Sequence, residues 1–312
     1  MRPAVAIGAL VALAMAGSTV RMSSAAFTAH DQFTSTISTA ADWVAPALTL
    51  TSPTDGSYQK STSDTLAGAA GNATGDATTV KVDLYTGTTA TGTPSSTQTV
   101  TRSAATWTTT VTGLAAGTYT ARATQTDTGG NTATTAATTF TIDTTAPTRV
   151  SVSAANGTGT AGHLDAGDTI TFAYSEPMLA SSILAGWTGS SAATVNVRFF
   201  NGTTDAFTVL DSASAANVKL DAGTAAGGGI SLGTTANYVT NTVTFGATMT
   251  RSADGTSFVV TLGSPDVASR VVATAVAAKN MTWTPKAGPT DLAANALAST
   301  ATWTETDNDR DF

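Results

Sequence analysis

The sequence contains no cysteine, which excludes thiol nucleophiles, thiolate metal sites and disulfide staples. Charge is scarce too: Asp, Glu, Lys and Arg make up 11% of the chain, against roughly 25% in an ordinary soluble protein. Histidine occurs only at His30 and His163, and glutamate only at Glu176 and Glu305. A Ser-His-Asp arrangement needs a histidine base, and a glycosidase needs two carboxylates facing each other across a cleft. Neither inventory is well stocked. No glycine-rich loop leads from a strand into a helix with a lysine, so nothing is arranged to cradle phosphate. The 14 basic residues are scattered singly and the net charge is -7, the opposite of a surface that gathers phosphates by releasing counterions. The residue inventory therefore speaks against an enzyme and against a nucleic-acid partner.

What the chain does have is threonine, alanine, glycine and serine, spread over a length that accommodates two domains of ordinary size. Arg2, an apolar run from Ala4 to Ala16 and small residues over Ser23 to Ala26 read as a signal peptide occupying 1–26, with an extended leader over 27–45. No later apolar run approaches the roughly 20 residues of a membrane-spanning helix, so the mature chain is expected to be exported without a span. The C-terminus carries neither a sorting motif nor a hydrophobic tail, so attachment to the cell is expected to be non-covalent.

From residue 45 onward hydrophobic residues alternate with a period of two. In Thr79 to Tyr85, Val80, Val82 and Leu84 share one face while Lys81 and Asp83 share the other, the pattern of a half-buried strand. Similar segments occur at Ala47 to Leu50, Thr106 to Val111, Thr118 to Thr124 and Thr138 to Ile142, with turn residues such as Asp55-Gly56, Gly87, Gly113 and Gly129-Gly130 between them. Leu114-Ala-Ala-Gly117-Thr-Tyr119 has the form of a tyrosine corner, in which the hydroxyl bonds back to an upstream carbonyl. Asp143-Thr-Thr-Ala-Pro147 interrupts the alternation and reads as a joint.

A second series of strands is expected at Arg149 to Ser153, Thr169 to Tyr174, Thr194 to Phe200, Ala206 to Leu210, Thr242 to Met249 and Ser257 to Leu262. Residues 265–279 predict a short helix or an irregular crossover, because their valines disfavour a long helix. Met281 to Pro285 and Ala298 to Thr304 then close the fold. The expected architecture is all-β: two tandem immunoglobulin-like β-sandwich domains, over 46–146 and 147–312, after an N-terminal signal helix.

Two resemblances sharpen this reading. Ala25-Ala-Phe-Thr28, Phe33-Thr and Ala40-Ala-Asp-Trp43 resemble the mature start that follows the signal peptide of fibre-forming, camelysin-like exported proteins. Leu48-Thr-Leu-Thr-Ser-Pro53, Asp55-Gly56, Gly117-Thr-Tyr119, Asp127-Thr-Gly-Gly-Asn131 and Phe140 to Pro147 resemble, in order, a bacterial Ig-like domain of the kind found in tandem in surface adhesins and biofilm-matrix proteins. Asp165 to Phe172 and Tyr174 to Met178 are similar to a second, divergent type. Asp291-Leu-Ala-Ala-Asn295 resembles the late Asp-x-x-Gly-Asn turn of such domains, but with Ala294 in place of glycine, which works against the same loop geometry. The resemblance implies a secreted, extracellular or cell-surface module whose partners are envelope or matrix components or further copies of itself. The leader, free of glycine from Ala25 to Trp43, is a candidate donor strand for a neighbour's sheet edge.

Calcium is the ligand whose chemistry the sequence best fits, since hard cations take several oxygens and loops bearing Asp and Asn near a joint supply them. The candidate ligands are Asp127, Asn131, Asp143, Asp165 and Asp168, with turn-shaping as the alternative role for each. No cofactor is otherwise implied. Carbohydrate binding is the alternative function, because Trp187, Trp283 and Trp303 all fall in the second half, although alternation places Trp283 on a buried face.

Overall fold

The computed structural model describes residues 44–213, 216–233, 237–306 and 312. The expected signal peptide, the leader up to residue 43, His30 and the tail residues Asp307, Asp309 and Asp311 lie outside these. The described residues are nearly all β and bury two separate hydrophobic clusters, one on each side of residues 143–148.

The first half contains β1 (Ser57–Gln59), β2 (Asp64–Ala69), β3 (Thr79–Thr86), β4 (Ser96–Thr101), β5 (Thr106–Val111), β6 (Gly117–Thr126), β7 (Thr132–Thr134) and β8 (Thr138–Ile142). One sheet runs β1-β8-β6-β3-β4 with β7 on β6, and the other pairs β2 with β5. Residues 47–52 extend the smaller sheet, with Thr49 N donating to Ala69 O at 3.0 Å and Thr51 N to Ala67 O at 2.8 Å. Between the layers, Leu66, Trp107 and Val111 meet Val80, Val82, Leu84, Ala121, Ala123, Phe140 and Ile142. Trp107 Nε1 donates to the carbonyls of Thr49 and Ala69 at 3.0 and 3.1 Å, so a buried polar tip is satisfied at the sheet it helps to cover. Gly68 permits the close approach of these strands, because a Cβ there would lie 2.0 Å from Thr49 O.

The tyrosine corner is present: Tyr119 Oη donates to Ala115 O at 3.1 Å, and the ring stacks on Phe140 with centroids 5.8 Å apart. The bond closes the turn before β6, the strand flanked by β3 and β8.

The second half is a single antiparallel sheet of nine strands. Its members are β9 (Arg149–Ala155), β10 (Thr169–Tyr174), β11 (Ala193–Phe200), β12 (Ala206–Asp211), β13 (Ile230–Ser231), β14 (Val243–Arg251), β15 (Ser257–Pro265), β16 (Thr282–Trp283) and β17 (Trp303–Thr304). They run in the order β9-β10-β15-β14-β11-β12-β13-β16-β17. The sheet curls over its own core, so that Phe172 and Tyr174 on β10 meet Trp283 on β16 with ring centroids 5.4 and 5.6 Å apart. The two layers of this sandwich thus belong to one continuous ladder. Residues 265–279 form the expected irregular crossover, with one short 3-10 turn at Ala268–Arg270. A single helical turn, Ala180–Ile183, was not foreseen. No helix among the described residues is long and apolar enough to cross a membrane.

The connections of the second half are pinned from inside by aspartates. Asp168 takes Gly157 N and Asp165 N at 2.9 and 2.7 Å. Asp205 takes Gly202 N and Val239 N at 3.1 and 2.8 Å. Asp221 takes Thr208 Oγ1, Gly223 N and Val209 N at 2.7, 2.7 and 3.1 Å. All three are 0% exposed.

Removing only the corner hydroxyl tests the first core. Tyr119→Phe is expected to lower stability by about 1 kcal/mol, the worth of one hydrogen bond, with the ring stack kept. Chemical unfolding of the two proteins measures it, and coincident transitions would show that the hydroxyl contributes nothing.

Candidate functional site

Among the described residues, one group of three carboxylates comes together: Asp143, Glu176 and Asp291, with an oxygen from each lying within 4.8 Å of the others. Three separate elements supply them. Asp143 follows the last residue of β8, Glu176 follows β10, and Asp291 opens a turn near the end of the second half. Asp143 Oδ1 accepts Thr145 N at 3.0 Å, and its backbone N–H donates to Gln59 O at 2.8 Å. Asp291 is 1% exposed and accepts Asn295 N and Asn295 Nδ2, both at 2.8 Å. Glu176 Oε1 is buried and receives no hydrogen bond from a described N–H or O–H group.

Burial, followed by the negative charges of Asp143 and Asp291, pushes the Glu176 carboxyl up from 4.5 to about 7. Its acid form also donates toward Asp143, which holds the proton in place. Glu176 therefore changes charge around neutral pH, where the cluster can hold a proton on this carboxyl or take up a cation, since three ionised carboxylates this close repel one another.

The sequence-based ligand set does not assemble as one site. Asp127 and Asn131 bind each other: Asn131 N and Nδ2 donate to the two carboxylate oxygens at 2.8 and 2.7 Å. The side-chain amide of Asn131 is the main reason that the Asp127 carboxyl lies below its ordinary range. Asp165 and Asp168 sit in the loop before β10, where Asp165 Oδ2 accepts Thr160 N at 3.2 Å and Asp168 caps as described. Of the five residues, Asp143 alone belongs to the three-carboxylate group. Glu176 and Asp291 complete it, and both lie in segments whose sequence drew attention for other reasons.

The turn that carries Asp291 repeats the one at Asp127. In each, the asparagine four residues on gives its backbone and side-chain N–H groups to the two oxygens of the aspartate. Ala294 adopts φ +65, the region in which Gly130 sits at φ +88, so the alanine that argued against a shared geometry accepts left-handed backbone instead. That conformation costs an L-residue roughly 1–2 kcal/mol, which the paired bonds to Asp291 offset.

The remaining candidate residues are placed individually. Trp187 and Trp283 are 7% and 0% exposed, and Trp283 Nε1 donates to Leu220 O at 2.8 Å, so neither forms an exposed sugar platform. Glu305 accepts Met281 N at 3.0 Å. His163 lies in the loop before β10, with its backbone N–H bonded to Thr160 O at 3.0 Å.

Residues 45–144 are similar to the bacterial Ig-like domain, whose family model matches them. The match ends beside Asp143, where the first core gives way to the joint. No curated protein matches the chain. A solved structure of the fibronectin(III)-like modules of CbhA from Clostridium thermocellum shares 13% identity with it, covering 70% of this chain and 89% of that one at a TM-score of 0.26.

The raised Glu176 carboxyl has a definite sign in stability. Because the folded value lies above the ordinary one, the contribution is fully present below 4.5 and is lost as pH rises through about 7. In a chelating buffer Glu176→Gln is therefore expected to melt higher than the parent at pH 8, with the difference shrinking toward pH 4.5. Calorimetric melting at the two pH values checks this, and parallel curves would contradict it.

Proposed function

We propose that the chain is an exported, non-catalytic module of the cell surface or extracellular matrix, whose two sandwich halves serve as spacer, adhesive surface or fibre subunit. The observation that carries this reading is the match of residues 45–144 to the bacterial Ig-like domain, placed beyond an N-terminal stretch that reads as an export signal. The scarcity of acid–base groups supports it, as does an outer surface dominated by hydroxyls and small side chains. Edge strands β4 and β9 offer ladder groups to which a strand from a neighbouring copy or a matrix component can add. Probing medium, wall, membrane and cytosol fractions of the native cells with an antibody to the chain tests the reading. Recovery from the medium or wall is expected, and retention in the cytosol would overturn it.

A second reading concerns the joint itself. Asp143, Glu176 and Asp291 supply hard oxygen ligands from both halves, which suits calcium better than a softer metal. A bound ion would replace the shared proton and draw the last strand of the first core onto the second. Calorimetric titration with millimolar calcium at pH 7.5 is expected to give binding heat and a higher melting temperature, both lost in Asp291→Asn. A flat titration of the parent chain would remove the cation from the account and leave the shared proton.

A further inference from the structure

Residues 143–148 join the two cores, and they are bonded to the second half at both ends. Asn295 Nδ2 donates to Asp143 O at 2.8 Å, and Ala298 N donates to Pro147 O at 2.8 Å. Thr148 N donates to Ser175 Oγ at 2.9 Å, while Ser175 N returns a bond to Thr148 O at 2.9 Å. From the other side, Asp143 N donates to Gln59 O at the end of β1. A linker that swivels leaves its carbonyls to water; this one gives three of them to protein donors. Pro147 adds a fixed φ in the middle of the stretch.

Asn295 is the crossing point. Its single side-chain nitrogen carries two hydrogens, one directed to Asp291 Oδ2 and the other to the Asp143 carbonyl, each at 2.8 Å. The first bond closes a loop, as its counterpart does at Asp127–Asn131. The second ties the end of one core's last strand to a loop of the other core. Aspartate at this position has no donor, and alanine has neither donor nor acceptor, so the paired bonds demand the amide.

We infer that Asn295 is a latch that fixes the first core on the second, so that the two halves move as one stiff body where covalently linked domains would by default reorient. The bond that crosses between the halves runs from a neutral amide to a backbone carbonyl and needs no cation, while the Asp291 carboxylate holds that amide in place. It concerns geometry alone, and it holds or fails independently of where the protein resides and what it binds.

The absence of native cysteine allows a direct test. Thr99→Cys on β4 and Thr248→Cys on β14 replace exposed residues, one in each half, and accept a pair of spin labels. Pulsed electron resonance in a chelating buffer then reads the distribution of distances between the halves. A narrow distribution is expected in the otherwise native chain and one several-fold broader in Asn295→Ala and Asn295→Asp. Ser175→Ala, which removes only the acceptor for Thr148 N, is expected to broaden it to a smaller degree, and it decides the matter if the Asn295 variants fail to fold. A distribution already broad in the native chain, or equally narrow in every folded variant, would overturn the latch.

Discussion

The structure depends on buried carboxylates that accept backbone N–H groups. A chain without cysteine cannot staple its loops, and one ion pair, Lys81 with Asp83, is found among the described residues. Asp168, Asp205 and Asp221, all fully buried, instead reach into neighbouring loops and take the N–H groups that strand ladders leave unpaired. A hydrogen bond to a charged group contributes about 1.5–3 kcal/mol, whereas an exposed ion pair contributes roughly 0–1. A low-charge surface therefore does not entail loosely held loops. Burial raises the carboxyls of these three aspartates, that of Asp221 to about 6, and their N–H donors oppose the shift.

The same device, repeated with an asparagine, builds the joint. Asp127–Asn131 and Asp291–Asn295 are one motif used twice, and in its second use it faces the end of the preceding core. The arrangement brings three carboxylates together at the boundary, which is the costly part of the design: burial and mutual repulsion must be answered by a proton or a cation. The bond from Asn295 to the Asp143 carbonyl lies beside that cluster and is itself between neutral groups, although Asp291 orients the amide that makes it. Orientation of the halves and electrostatics of the cluster thus meet at Asp291 and Asn295.

Much of the fold was legible because alternation reports one-sided burial directly. Val80, Val82 and Leu84, or Ile170, Phe172 and Tyr174, can be read as inward rows without knowing the partner strand. β2 escaped that reading because Asp-Thr-Leu-Ala-Gly-Ala has a single large apolar residue, its small side chains being imposed by the close approach of Thr49 to Gly68. β4 escaped it because Ser-Thr-Gln-Thr-Val-Thr covers a sheet edge, where hydroxyls suffice on both faces. Of the joint, Asp143 and Pro147 were visible in sequence, but Glu176 and Asp291 join Asp143 only through the folded strand order, which brings Asp291 next to two carboxylates that each lie more than a hundred residues before it. Ala294 gave the opposite error: propensity argued against the turn, and hydrogen bonding across it prevailed.

Hydrogen exchange at the loop amides bonded to the buried aspartates tests the central claim most directly. The N–H groups of Gly157, Asp165, Gly202, Val209, Gly223 and Val239 should exchange as slowly as amides in the middle of β11 and β14, although only Val209 lies in a strand. Exchange of the five loop amides at the rate of exposed turns would mean that the aspartates do not hold these connections, and the account of how this chain dispenses with staples would fail.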